Sequence, residues 1–378
     1  MKRLIAVLLL LCLLLCACGK SETPAATTLP ETQATTLPGS TASPETTVPE
    51  TTVPPTTTVP ETTVPPTTVP EPQYVNPLNG EKIYEPYTLR PVVVMLNNVK
   101  KAQPQHGVTD ADILFEMPSE GGSTRCMGVF SDITDIPRVG SIRSARLYFV
   151  QVMQGFNGLY VHAGGSAEAT DYMKSLNMKT LNGVSSTAFY RDQQRLDEGY
   201  SLEHTLFIDS DKIMEEAAKK KIEMDTGKEV SYGFQFAEEV DLEGEDANVI
   251  SVYFSANGKA SGKLTKLTYN EEKKAYFAYQ HGGDYVDGQN DEVVSFRNIV
   301  VIKTSISLQE DQEHLTIVTV GSGKGYFACD GKIVEINWSR KSVNDPFVFT
   351  YKDGTVITMG EGKTYIPVVY NKSLVDWE

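Results

Sequence analysis

Cysteine and histidine are scarce in this chain, and where they occur they do not cluster. Of the five cysteines, Cys12, Cys16 and Cys18 fall at the extreme N-terminus, leaving Cys126 and Cys329 for any folded region. Both lie in apolar, strand-like contexts, so buried free thiols are expected and a redox motif is absent. The five histidines form no His-Glu-x-x-His and join no Cys/His cluster, so no metal site is expected. No cofactor-binding fingerprint occurs either, and the expected cofactor list is empty. Basic residues are short as well, with 34 Lys and Arg against 49 Asp and Glu, a net charge of −15. Such a field repels nucleic acid and anionic lipid headgroups, which excludes both as partners of the body of the protein. An anionic ligand would need a local basic site.

Long hydrophobic runs are lacking but for one. Residues 4–15 are an unbroken apolar stretch after Lys2 and Arg3, too short for the roughly 20 residues that span a bilayer but right for a signal-peptide h-region. It ends in Leu15-Cys16-Ala17-Cys18, which reads as a lipobox. Residues 1–17 are therefore a lipoprotein signal peptide, and Cys18 is the lipidated residue that anchors an extracytoplasmic protein to the cell membrane. Residues 18–72 are a Thr/Pro-rich tether with a loose Glu-Thr-Thr-Val-Pro repeat and no aromatic residue. Such a segment cannot bury enough surface to offset its ordering entropy. Fully extended as polyproline-like chain at about 3.1 Å per residue, it reaches on the order of 160 Å. The Thr density also permits O-glycosylation. Residues 73–378 keep a formal charge of −12.

That remainder changes texture near its middle. In residues 73–237, short apolar runs alternate with helical periodicity: strands at 91–96, 112–116, 125–130 and 158–162, and helices at 145–154, 167–176 and 211–221. Gly155 stands as the residue closing the first helix, and Ser166 as the N-cap of the second. From 247 to 378, β-branched and aromatic runs are broken by Asn257-Gly258, Asp330-Gly331 and Asp353-Gly354 turns. The expected class is α+β: a mixed α/β N-terminal domain, an acidic linker at 238–246, and a mostly antiparallel β C-terminal domain.

Three polar clusters carry the candidate chemistry, all in the N-terminal domain. In the first, Glu116 ends a strand, Glu120-Gly121-Gly122-Ser123-Thr124 forms a glycine-rich turn and Arg125 opens the next strand. Two carboxylates so placed can divide acid and base work; equally, Glu120 and Arg125 can close a tight turn as an ion pair. The second, Gly140-Ser141-Ile142-Arg143-Ser144-Ala145-Arg146, precedes a helix, where arginines and free N–H groups suit phosphate or carboxylate. Its competing reading is a buried network of Arg143 and Arg146 with Glu116 and Glu120. The third, His162-Ala163-Gly164-Gly165-Ser166, leads a strand through glycines into a helix. It lacks the Lys-Ser/Thr pair of a phosphate loop and the Gly-x-Ser-x-Gly of a nucleophile elbow. His162 and His204 are either proton carriers or packed, hydrogen-bonded histidines.

In this order the clusters resemble the YerB-type bacterial lipoprotein family, whose two halves are domains of unknown function. The resemblance begins at Asn76-Pro77-Leu78-Asn79-Gly80 and Arg90-Pro91-Val92-Val93-Val94-Met95. It runs through Ala102-Gln103-Pro104-Gln105, Glu120 to Arg125, Arg143-Ser144-Ala145-Arg146 and His162 to Ser166, and continues through Asn298-Ile299-Val300-Val301, Gly321-Ser322-Gly323, Trp338 and residues 360–367. Three positions depart from the family pattern: Asn97 stands where an acidic residue is usual, Gln103 where Arg is usual, and Ser141 where Pro is usual. The resemblance implies a surface lipoprotein of two domains and no established reaction.

Three functions fit these residues. In the first, the N-terminal domain binds an anionic or polyhydroxylated envelope component through Arg125, Arg143, Ser144, Arg146, Gly164, Gly165, Ser166 and His204. In the second, the protein is a hydrolase or transferase on wall glycan or phosphodiester bonds. Glu116 or Glu120 would then be the base, His162 the acid, and Arg143 with Arg146 the charge stabilisers. In the third, it is a scaffold that recruits wall-synthesis proteins. Its partners are expected to be the membrane, through Cys18, and wall polymers or wall-synthesis proteins.

Overall fold

The computed structural model of the protein describes residues 71–378; the expected signal peptide, Cys18 and nearly all of the expected tether lie outside the described residues. The N-terminal half supplies strands β1 (Val92–Asn97), β2 (Ile113–Pro118) and β3 (Thr124–Phe130), helix α1 (Leu147–Phe156), strand β4 (Leu159–His162), and helices α2 (Ala167–Ser175) and α3 (Ser210–Lys219). From the C-terminal half come β5 (Val249–Phe254), β6 (Lys263–Asn270), β7 (Ala275–Gln280), β8 (Asn298–Thr304), β9 (Gly321–Cys329), β10 (Lys332–Arg340), β11 (Thr364–Tyr370) and β12 (Val375–Trp377). The class is α+β.

An eleven-stranded mixed sheet, with β10-β9-β8-β11-β2-β3-β1-β4 at its centre, crosses the change of texture. The link is β11, which lies parallel to β8 on one side and to β2 on the other, with Tyr365 opposite Leu114 and Pro367 opposite Glu116. The ladder to β8 skips Ile366 and Pro367, as expected where proline brings no N–H. Even the acidic stretch takes part, since Glu245–Asp246 pairs with β10 at the rim.

Both faces of this sheet are covered, which explains why β1 reads as a continuous apolar run. Val93 and Met95 join a core with Tyr148, Phe149, Val152 and Phe156 of α1 and Met173 of α2. Val92, Val94 and Leu96 face the other way, toward Ile213 and Ala217 of α3 and toward a second sheet. That second sheet is antiparallel, in the order β7-β6-β5-β12 with short strands beyond β7. Its β5 alternates, with Ile250, Val252 and Phe254 turned inward. Asp330 and Gly331, with φ of 47° and 78°, close the β9–β10 hairpin in the way an Asp-Gly dipeptide favours. Cys126 and Cys329 are buried free thiols.

Helix α1 runs past its expected end. Gly155 continues the helix, and Asn157, left-handed at φ 50°, caps it. The glycine is required by a close approach: a Cβ there would lie 2.6 Å from the Asp345 carbonyl oxygen and 2.8 Å from an Arg340 nitrogen. Alanine is normally the better helix residue by about 1 kcal/mol. Here Gly155→Ala is expected to destabilise, by about 1–3 kcal/mol through overpacking. A rise in the thermal midpoint would contradict this packing.

Candidate functional site

Glu116 leaves β2 on the face that meets the second sheet, and it is 1 % exposed. An isolated carboxylate there would be prohibitive. Lys263, on the facing β6, supplies the counter-charge in a buried ion pair, and its ammonium also lies 5.0 Å from the Phe254 ring centroid. The remaining lone pairs are satisfied from three strands and the turn after β1: Thr124 Oγ1 donates at 2.6 Å, Asn98 Nδ2 at 3.0 Å, Thr265 Oγ1 at 3.2 Å, and the Tyr365 hydroxyl also donates. Burial is the largest influence on the carboxyl and opposes its ionisation. The Lys263 charge and these donors outweigh it and hold Glu116 below the usual carboxylate range.

Asn98 extends the network. Its Nδ2 also donates to Thr124 Oγ1 at 2.9 Å, while its Oδ1 accepts from Gln280 at 3.0 Å and from Gln105 at 3.2 Å. Thr124 in turn forms part of the wall of a cavity of about 240 Å³. Asn97, Glu120, Arg125, Arg143 and Arg146 line the same cavity, with Glu313 contributed by the C-terminal half.

Two arginines share one carboxylate here. Arg125 Nη2 donates to Glu120 Oε2 at 3.1 Å, and Arg146 Nε pairs with Glu120 Oε1. Arg125 is fixed further by the Ser144 carbonyl at 2.6 Å, and Arg146 by that of Ala145 at 2.8 Å. Arg143 reaches Glu203 at 2.8 Å, but that carboxylate is half-exposed and screened by water. Burial and then the neighbouring Arg146 charge press the Arg125 guanidinium down to about 10, which still leaves it cationic at neutral pH. Burial would raise the Glu120 carboxyl; the hydrogen bond from Arg146 and the charges of Arg125 and Arg146 prevail and keep it low. Three guanidinium groups thus converge on one cavity of an acidic protein, two of them on the largely enclosed Glu120 and the third on the half-exposed Glu203, with Glu313 the other carboxylate of the lining.

The other expected site residues lie elsewhere. His162 does not line the cavity: its ring contacts the Gly164 carbonyl at 2.7 Å and Thr180 Oγ1 at 3.0 Å, and it stacks on Tyr160. Burial lowers its pKa, so it is neutral near pH 7. Gly164 donates to Asn182 at 2.9 Å and accepts from Ala145 at 2.9 Å, while Ser166 caps α2 through Ala169. With Gly165 between them, these residues seat α2 against the Arg143–Arg146 segment. His204 sits behind the cavity wall, its Nδ1 2.9 Å from Asn97 Nδ2. The amide nitrogen can only donate, so Nδ1 accepts and the proton is on Nε2, toward Glu203. Glu116 lies beneath the cavity floor and reaches it only through Thr124.

Lys263, Thr265, Tyr365 and Gln105 escaped the sequence reading. Lys263 and Thr265 were legible in one respect only: they continue the inward-facing phase of Leu267 in β6, a strand whose partner across the core no local pattern announces.

Residues 78–223 match a family model described as the N-terminal domain of a protein of unknown function, DUF3048, and residues 250–366 match its C-terminal domain. Among curated proteins, the chain is 32 % identical over 303 residues to "Putative lipoprotein YerB" of Bacillus subtilis (strain 168), covering 78 % of this chain and 85 % of that one. Among solved structures, it matches the crystal structure of the YerB protein from Bacillus subtilis with a TM-score of 0.69 and 28 % identity, over 80 % of this chain and 100 % of that one. Among the described residues, no helix is long and apolar enough to cross a membrane.

Removing Lys263 leaves a buried carboxylate unpaired, so Lys263→Met is expected to cost about 3–5 kcal/mol in urea denaturation. The Glu116→Gln/Lys263→Met double variant should recover much of the loss. Because folding depresses Glu116 below its ordinary 4.5, its contribution is present above that value and lost as pH falls through the folded one. The stability gap between wild type and Lys263→Met should therefore narrow on acidification. A gap that is constant or widens between neutral and acid pH would contradict the pairing.

Proposed function

The chain belongs to the YerB-type family of two-part proteins of unknown function, and from that premise we propose that its arginine-lined cavity binds an anionic or polyhydroxylated component of the cell envelope. The protein then works as a binding or scaffold protein, held to the outer face of the cell membrane by a lipid on Cys18. The tether carries the cavity outward, toward wall polymers or the proteins that build them.

One observation carries this reading: Arg125, Arg143 and Arg146 converge on a cavity whose lining carboxylates are Glu120, shared by two of them, and the exposed Glu313. Guanidinium groups recognise phosphate and carboxylate by paired N–H donors. Backbone carbonyls anchor Arg125 and Arg146 before a ligand arrives, which reduces the entropy lost on binding. Polar groups from Asn97, Thr124, Ser119 and Ser123 line the same space and suit hydroxyl groups beside the anion.

The alternative, a hydrolase or transferase on wall glycan or phosphodiester bonds, draws less support. Glu120 is held ionised between two cations, Glu116 is sealed against Lys263, and His162 is neutral and engaged outside the cavity. No group in the cavity is placed to give up a proton at neutral pH.

Calorimetric titration of the full-length protein with glycerol-phosphate oligomers and with carboxylate-bearing wall glycopeptides tests the proposal. Wild type should give a saturable heat with at least one of them. Arg143→Ala should weaken that binding by about tenfold or more, and added salt should weaken both. No heat from any ligand, with wild type and variant alike, would overturn it.

A further inference from the structure

A second cleft, of about 360 Å³, opens where the two sheets meet at their rims, and it shares no residue with the arginine cavity. Its walls come from different sheets. Trp377 ends β12 at the edge of the second sheet, and Tyr326 projects from β9 of the long sheet; their ring centroids are 5.2 Å apart at 58°. Both rings are half-buried, so part of each remains accessible, and the Lys303 ammonium lies 5.8 Å from the Tyr326 ring centroid. The tryptophan is pinned by its Nε1–H, which donates to Glu245 at 3.2 Å.

Polar groups surround the rings. Glu335, directly opposite Tyr326 in the β9–β10 ladder, accepts from Lys324 at 2.7 Å and pairs with Lys352 at 2.9 Å. Glu245 and Lys352 also line the cleft. The result is two angled aromatic rings bordered by hydrogen-bond acceptors and an ammonium group. A purely apolar occupant would make no use of the polar border. An anion would meet two carboxylates. A pyranose ring satisfies both demands, with an apolar face for the aromatic ring and equatorial hydroxyls for the charged border.

We propose that this rim cleft is a carbohydrate subsite that takes hexose units of a β-linked glycan chain. The β-linkage follows from shape: equatorial bonds keep successive sugars flat and extended, so their faces can lie on rings at an open rim. The assignment is independent of the arginine cavity and stands if that cavity binds nothing.

The sequence contains just two tryptophans, and Trp338 is 2 % exposed in the core. Changes in emission on binding therefore report Trp377. Full-length protein titrated with chitotetraose or cellotetraose should show a saturable blue shift, whereas maltotetraose, α-linked and curved, should give much less. Tyr326→Ala should weaken the response about tenfold, and Arg143→Ala should leave it unchanged. Calorimetry on Trp377→Phe, which keeps a stacking ring, should retain binding, and Trp377→Ala should lose it. A wild-type emission that does not move with any tetraose up to millimolar concentration overturns the proposal. A shift that survives Tyr326→Ala undiminished, in a variant whose circular dichroism matches wild type, overturns it as well.

Discussion

The buried pair of Glu116 and Lys263 is the interaction on which the arrangement depends. It is a point where the long sheet and the second sheet pair opposite charges in the buried core. Taking two ions out of water costs several kcal/mol each before their attraction is counted. The site offsets that cost only because Thr124, Asn98, Thr265 and Tyr365 fill the remaining hydrogen-bonding positions of the carboxylate. Those donors come from both halves of the chain. The pair thus specifies how the halves register: slipping β6 by one residue would turn Lys263 away from the core and strand the carboxylate.

The same network shapes the arginine cavity. Thr124 is bound to Glu116 on one side and lines the cavity on the other, so its wall is anchored to the ion pair. Arg125 follows Thr124 on β3, and Arg143 and Arg146 arrive on the segment that leads into α1. The glycines and serine after β4 hold that segment in place by backbone hydrogen bonds. The whole protein is acidic, yet at this point three guanidinium groups converge, Arg125 and Arg146 on Glu120 and Arg143 on the half-exposed Glu203, and it is among them that the proposed anion would sit.

Much of this was legible from residue order, though unevenly. Strands β1 to β4, helix α2 with its Ser166 cap and the Asp330-Gly331 hairpin follow from local patterns. The convergence of Glu120, Arg125, Arg143 and Arg146 was visible as two adjacent clusters; of the pairings read from them, Glu120 takes Arg125 and Arg146, whereas Arg143 turns to Glu203 and Glu116 to Lys263. Gly155 misled, because a glycine tolerated for a neighbour 190 residues away looks like a helix terminator. His162 looked like chemistry because it stands between a strand and glycines, yet its partners Gly164 and Thr180 occupy the ring. The course of β11 was illegible. A parallel pairing between residues some 250 apart, such as Tyr365 with Leu114, leaves no periodic trace, and with it went Tyr365, Lys263 and the common sheet.

Whether the arginine cavity receives an anion is open to direct observation at the guanidinium groups themselves. Arginine side-chain Nε–H resonances of ¹⁵N-labelled full-length protein, followed while glycerol-phosphate oligomer or a carboxylate-bearing wall glycopeptide is added, separate the sites residue by residue. Binding in the cavity predicts saturable shifts of Arg143 and Arg146, with Arg90, Arg297 and Arg340 unmoved. Shifts spread evenly over all arginines, or none at Arg143 and Arg146 under saturating ligand, would contradict it.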